Sequence, residues 1–368
     1  MPEKYELGRW EIACIMLNVL TYKVFTGFPR LFAEVSGTGG WLTAIVCGGV
    51  ALLLIGLILL LYKKLGKSNI LEVAEMAAGK AGRYLVSAIL LIYLIFSNAL
   101  ALREFTEVMK TVAFPSAALA FVMVFFVAAM VVGVLSGFDA IARLHVLAVP
   151  VAVFITLAIV FSAIRYGTVG NLFPVFGTGV KQVFGKGMIT LSIYSDIITL
   201  FLINPFSKKN VRWRRVGFMS ALGGILITAA VILTFIMIVP YPTSTDTNIP
   251  IYPLAKVIYY GRFFQRLDAF YMLALAIVGM LYLSLSMFFV TYIFADTFQL
   301  PRSRPLIWVF SLFSFLLALT VQRSDGLHRI IYLSSFVLWG IGFLLPIICA
   351  AAAKVRGKRR EAEVVEQN

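Results

Sequence analysis

The chain is short of the residues that make a soluble surface or a metal site. Only 13% of its 368 residues are Asp, Glu, Lys or Arg, too few to solvate an ordinary water-borne fold. Cys14, Cys47 and Cys349 are odd in number and fall inside apolar runs, so neither a disulfide framework nor a thiolate metal site is expected. The histidines, His145 and His328, lie far apart and near the ends of such runs, which leaves zinc without a ligand set. Acidic residues are scarcer than basic ones, 17 against 32, for a formal net charge of +15. That excess does not make a nucleic-acid-binding face, because the basic residues collect in short segments between apolar runs. No nucleophile–base pairing occurs within the runs, so neither an enzyme nor a cofactor is expected. No cleavable leader is expected either, because MPEKYELGRW is charged and leads straight into the first run.

What the sequence has in abundance is hydrophobicity. Hydrophobic residues make up 61% of it, and runs longer than 18 residues recur along its length, the mark of an all-α polytopic membrane protein. The runs predict ten transmembrane helices, near residues 10–35, 40–62, 83–110, 115–135, 143–165, 187–206, 215–240, 267–297, 305–321 and 329–353. Lysine and arginine alternate in density from one side to the other. Lys63, Lys80, Arg83, Lys208, Lys209, Arg212, Arg214 and Arg215 fall on the richer side, so both termini are expected in the cytoplasm. The spans divide as five plus five: a first repeat at 1–165, a linking loop at 166–186, a second repeat at 187–353 and a cytoplasmic basic tail at 354–368. An odd number of spans per half makes the halves enter the membrane from opposite sides. This is the inverted-repeat, LeuT-like arrangement of one transporter class, in which spans one and six are broken near the midplane.

Polar residues inside the spans mark the candidate site. Lys23 lies midway along span one, where an ammonium is most expensive. Thr21, Thr26, Gly27 and Pro29 surround it and weaken regular helix, which predicts a break near Tyr22–Gly27. The plainer alternative is a continuous helix whose lysine snorkels or sits in a structural ion pair. In span six, Asp196 follows Ser192, Tyr194 and Ser195, and Pro205 closes the helix. The two segments related by pseudo-symmetry therefore each carry one midplane charge, of opposite sign. Lys23 and Asp196 are expected to pair directly or through one water, and a ligand with both an ammonium and a carboxylate would compete for both. Thr21, Tyr22, Phe25, Gly27, Ser97, Asn98, Tyr194, Ser195 and Ser284 are the other expected ligand contacts. Serines in spans also bond to their own helix, the structural reading of Ser284 and Ser286. Glu104, with Asp196, is assigned to a coupling or ion path; the alternative is an acid that solvates a helix end. A short interfacial helix at Tyr252–Tyr260 is expected over the outer mouth.

Several blocks resemble a known family. They are Phe28-Pro29-Arg30-Leu31 continuing through Gly37-Thr38-Gly39-Gly40-Trp41-Leu42, then Asn171-Leu172-Phe173-Pro174-Val175 with Gly179, and Arg266-Leu267-Asp268. With ten spans and a basic tail, they are similar to the endospore germination permeases, the B subunits of nutrient germinant receptors, within the amino acid–polyamine–organocation superfamily. The resemblance implies a subunit of the spore inner membrane that works with A- and C-type receptor subunits. It would sense a small nutrient, commonly an amino acid, and trigger germination. Superfamily permeases hold the substrate carboxylate on free N–H groups of a glycine-rich break in span one. Here the matching stretch, Thr21–Gly27, has one glycine and includes Lys23, a departure from backbone-only recognition. An autonomous proton-coupled amino-acid transporter, or an ion or water conduit opened by partner subunits, remains open beside the receptor reading.

Overall fold

The computed structural model describes residues 6–65, 69–247, 249–258, 268–300, 304–320 and 324–366. Among these residues regular structure is helical, apart from one parallel bridge between Leu7 and Ser207. The α-helices are α1 Arg9–Thr21, α2 Phe28–Ser36, α3 Gly40–Leu61, α4 Ile70–Ala113, α5 Leu119–Leu135, α6 Phe138–Ile164, α7 Val180–Phe184, α8 Thr199–Ile203, α9 Trp213–Ile238, α10 Thr243–Asp246, α11 Ile251–Val257, α12 Asp268–Thr297, α13 Arg304–Thr320, α14 Ser324–Trp339 and α15 Leu345–Glu366. Among the described residues, seven helical stretches are long and apolar enough to cross a bilayer. The other apolar helices are shorter: α1 has 13 residues and α5 and α13 have 17 each, against about 20 for an upright span. Of the expected outer helix, Ile251–Val257 is formed, while Tyr259 and Tyr260 lie outside the described residues, as do Arg266 and Leu267.

The sequence around Lys23 explains why α1 is short. Helical hydrogen bonding passes into a 3₁₀ turn at Tyr22–Phe25, and Thr26 is extended at φ −108°, ψ −162°. Pro29 lacks an N–H and so suits the first turn of α2, where that donor would be spare. The second irregular stretch is longer. Lys186–Ile198 forms 13 residues of 3₁₀ helix before α8 begins, where runs beyond three or four residues are uncommon. A third irregularity, the π turn Gly340–Leu344 between α14 and α15, packs against it.

These segments lie at the centre of the bundle. The stretch Val180–Phe206 is 94% buried in its most apolar window, against 39% for Phe28–Leu61 and for Phe138–Ile164. It packs on α1, α2, α3 and α14, while α12 packs on α4, α5 and α6. Outward faces carry exposed Leu53, Ile92, Leu147, Phe154 and Trp308, as helices bathed in lipid do.

Two sequence blocks that lie far apart in the chain meet at one end of the bundle. Thr38 Oγ1 donates to Pro174 O at 2.7 Å and Trp41 Nε1 to Leu172 O at 3.4 Å. Gly39 permits this contact, because a Cβ there would stand 2.9 Å from the Phe176 carbonyl carbon. At the opposite end, Leu7 N donates to Phe206 O and Lys208 N donates to Leu7 O at 3.0 Å.

Candidate ligand site

The two irregular segments meet through their charges. Lys23 Nζ lies 2.6 Å from Asp196 Oδ2, with both side chains buried. The pair expected from the sequence is formed, and directly. Lys23 Nζ also donates to Ser192 O at 2.7 Å and Ser195 Oγ at 2.9 Å. The 3₁₀ geometry accounts for this: three residues per turn place Ser192 and Ser195 one above the other, facing the same ammonium. The Phe28 and Tyr22 rings lie 5.2 and 5.6 Å from Nζ, within cation–π range.

Three tyrosines complete the cage around Asp196. Tyr22 donates to Oδ2 at 3.2 Å, and Tyr93 and Tyr282 donate to Oδ1 at 3.1 and 3.2 Å. The Tyr22 and Tyr282 rings stack with centroids 3.6 Å apart. The charge is thus shared among the α1–α2 connection, α4, α12 and the 3₁₀ segment.

The other expected contacts separate into two groups. Phe25 and Gly27 stay with the break: Phe25 O accepts from Tyr271 at 3.0 Å, and the Gly27 N–H is held by Glu104. Ser195 bonds Lys23, and Ser97 stands one helical turn from Tyr93 and reaches its hydroxyl. Thr21 turns back on α1, donating to Leu17 O at 2.7 Å.

Asn98 faces elsewhere, because one further residue rotates a side chain by about 100° on an α-helix. Its Nδ2 donates to Leu283 O at 3.1 Å and to Ser286 Oγ, and its Oδ1 accepts from Ser314 at 2.6 Å. Ser284 donates to Met280 O at 2.8 Å and faces Gly133, as the own-helix alternative anticipates. Tyr194 points towards Gly48 of α3 and Thr228 of α9. The shared cavity expected for Tyr22, Phe25, Ser97, Asn98, Tyr194 and Ser284 is therefore not formed by them. A small cavity of about 10 Å³, the space of one water, is lined instead by Asn18, Thr21, Val24, Phe25, Thr156 and Val278, among others.

Sequence reasoning missed Tyr93, Tyr282 and the Asn18–His145 contact. Asn18 Nδ2 lies 3.3 Å from His145 Nε2, and His145 is fully buried rather than near an exposed helix end. A signal was present for the tyrosines. Tyr93 lies four residues before Ser97 and Tyr282 two before Ser284, and a hydroxyl inside a bilayer requires a partner.

The comparisons decide the family. A model described as spore germination protein matches residues 7–326, most of the chain. This chain belongs to the spore germination permease family. Curated relatives agree with that assignment. Spore germination protein KB of Bacillus subtilis (strain 168) is 21% identical over 98% of this chain and 99% of its own. Spore germination protein B2 of the same organism is 23% identical over 66% of each chain. Among solved structures, this permease resembles MHP1, a nucleobase-cation-symport-1 family transporter in a closed conformation with bromovinylhydantoin bound. The TM-score is 0.65 at 12% identity, over 97% of this chain and 94% of that one. A substrate-bound, outward-open Na⁺-coupled sialic acid symporter matches with TM-score 0.63 at 12% identity, over 95% and 88%. The permease is an all-helical membrane protein with a LeuT-like transporter fold.

Proposed function

We propose that this permease is the ligand-sensing B subunit of a spore germinant receptor, and that its ligand binds between the interrupted first and sixth spans. The observation that carries the proposal is the buried Lys23–Asp196 pair, which joins two segments lacking regular α-helix at the centre of the bundle. Charges at that depth are costly unless they serve a ligand, ion or partner. In this reading the chain forms ten spans in two inverted halves, 1–165 and 187–353, with segment 166–186 between them and both termini in the cytoplasm. A nutrient amino acid places its carboxylate on Lys23 and its ammonium on Asp196, with Tyr22, Phe25, Gly27, Ser97 and Ser195 around it. Tyr93 and Tyr282 join the set from the geometry. Separation of Lys23 from Asp196 then biases the two access states, which a ligand achieves only by binding them with different affinities. The A- and C-type subunits of the spore inner membrane receive that change.

A proton-coupled transporter is the second reading, favoured by the fold shared with symporters and by Glu104, which would line the coupling path with Asp196. Purified protein in liposomes separates the two. Amino-acid binding without uptake supports the receptor, and concentrative uptake driven by a proton gradient supports the transporter. Binding that is unchanged by Asp196→Asn would overturn the site in both.

A further inference from the structure

Glu104 is left over by the pairing of Lys23 with Asp196. It is 3% exposed, lies against the Thr26 hydroxyl and the Gly27 N–H, and feels the charge of Lys23. Its Oε1 has no hydrogen-bond partner. The cation near it is already committed: Lys23 stands 2.6 Å from Asp196. Arg103, next along α4, is bound to Glu107 at 3.0 Å. The elements packed on α4 supply little else. In its described range α5 has no ionisable side chain. Near the site α12 brings Tyr271 and Tyr282, whose hydroxyls are spent on Phe25 O and Asp196. Within α13 and α15 the charged residues stand only at one end, from Arg304 and from Lys354. With every carboxyl ionised, Lys23, Arg103, Asp196, Glu104 and Glu107 would therefore sum to one negative charge in excess.

A zwitterionic ligand leaves that excess unchanged, because it adds one charge of each sign. We propose that the site prefers an amino acid of net charge +1, whose side-chain ammonium seats on Glu104. This rests on the reading of Lys23 and Asp196 as the ligand's head-group contacts. Thr26 and Gly27 stand three and four residues beyond Lys23, and Glu104 lies against both and feels the Lys23 charge, so the Glu104 seat adjoins the pair. A side chain with the four-carbon stem of lysine reaches from the pair to that seat. In the ligand-free protein a proton on the Glu104 carboxyl removes that excess. On binding, its O–H bond breaks, the proton leaves to solvent, and the carboxylate accepts hydrogen bonds from the incoming ammonium. Buried charge is then balanced before and after.

The test uses the full-length permease in lipid nanodiscs and two probes, L-lysine and L-norleucine, which differ chiefly in the terminal ammonium. Calorimetric titration in buffers of different ionisation heat reads both affinity and proton release. Lysine is expected to bind at least about tenfold more tightly, a factor of ten being about 1.4 kcal/mol, and to release a proton where norleucine releases none. Glu104→Gln should remove both differences, whereas Glu104→Asp should retain the preference. Equal binding of the two probes, lost in Asp196→Asn, overturns the charge preference and leaves the site itself standing. Lysine preference that persists in Glu104→Gln overturns it as well. Binding of both probes that ignores Asp196→Asn, or no binding of either, overturns the site reading and the preference with it. Should Glu104→Gln not fold, the unaltered protein decides: lysine binding without proton release refutes the proposal.

Discussion

At the scale of single residues, the buried Lys23–Asp196 pair is expected to control stability. Removing one member of a buried ion pair strands the other and typically costs about 3–5 kcal/mol. Lys23→Met and Asp196→Asn are therefore each expected to lower the thermal unfolding midpoint sharply, and the double variant less than the sum. Unfolding in detergent, assembled as a double-mutant cycle, checks this, and additive losses would show that the two side chains are not coupled. Tyr93→Phe and Tyr282→Phe each remove a hydrogen bond to a charged acceptor, worth about 1.5–3 kcal/mol. Asn98 belongs to a different task. It ties α4 to α12 and α13 through Leu283, Ser286 and Ser314. Asn98→Ala is expected to cost about 1–3 kcal/mol in the same assay, because polar partners are left unsatisfied.

At the scale of elements, the irregular segments depend on one another. Gly342, in the π turn, lies so close to the 3₁₀ segment that a Cβ would stand 2.6 Å from Ser195 Cα. That neighbour is backbone and cannot swing aside, so the added methyl must move the stretch that carries Ser192, Ser195 and Asp196. Gly342→Ala is expected to cost about 1–3 kcal/mol, as overpacking does, and to weaken amino-acid binding. A variant with unaltered binding and midpoint would show that the π turn does not hold the site in position. The 3₁₀ turn near Lys23 falls where threonines, glycine and proline stand close together in the sequence. The 13-residue 3₁₀ run was not, because nothing in GMITLSIYSDII opposes an α-helix strongly; packing against α3, α14 and the π turn surrounds it.

At the scale of the whole molecule, the proposed orientation rests on the basic loops. If both termini are cytoplasmic, as proposed, a single cysteine introduced at Lys209 should react with a membrane-impermeant maleimide only after the membrane is opened. One at Thr245 should react in intact vesicles. The native cysteines are buried and give little background. The reverse pattern would invert the topology. The contacts at the two ends of the bundle, Leu7 with Phe206 and Lys208 and Thr38 with Pro174, join segments that flank the two interruptions.

The sequence by itself determined the membrane class, the helical fold and the two midplane charges, because hydrophobic run length and the cost of buried charge act locally. It also marked the residues at which α1 gives way to a 3₁₀ turn. Tertiary structure alone decided which polar side chains meet. On α4, neighbours Ser97 and Asn98 diverge by the rotation of one helical residue, one towards Tyr93 and the other towards α12 and α13. Tyr93 and Tyr282 reach Asp196 from helices 103 and 86 residues away in the chain. Such partners follow from how helices cross, and no periodicity within a single helix records the crossing.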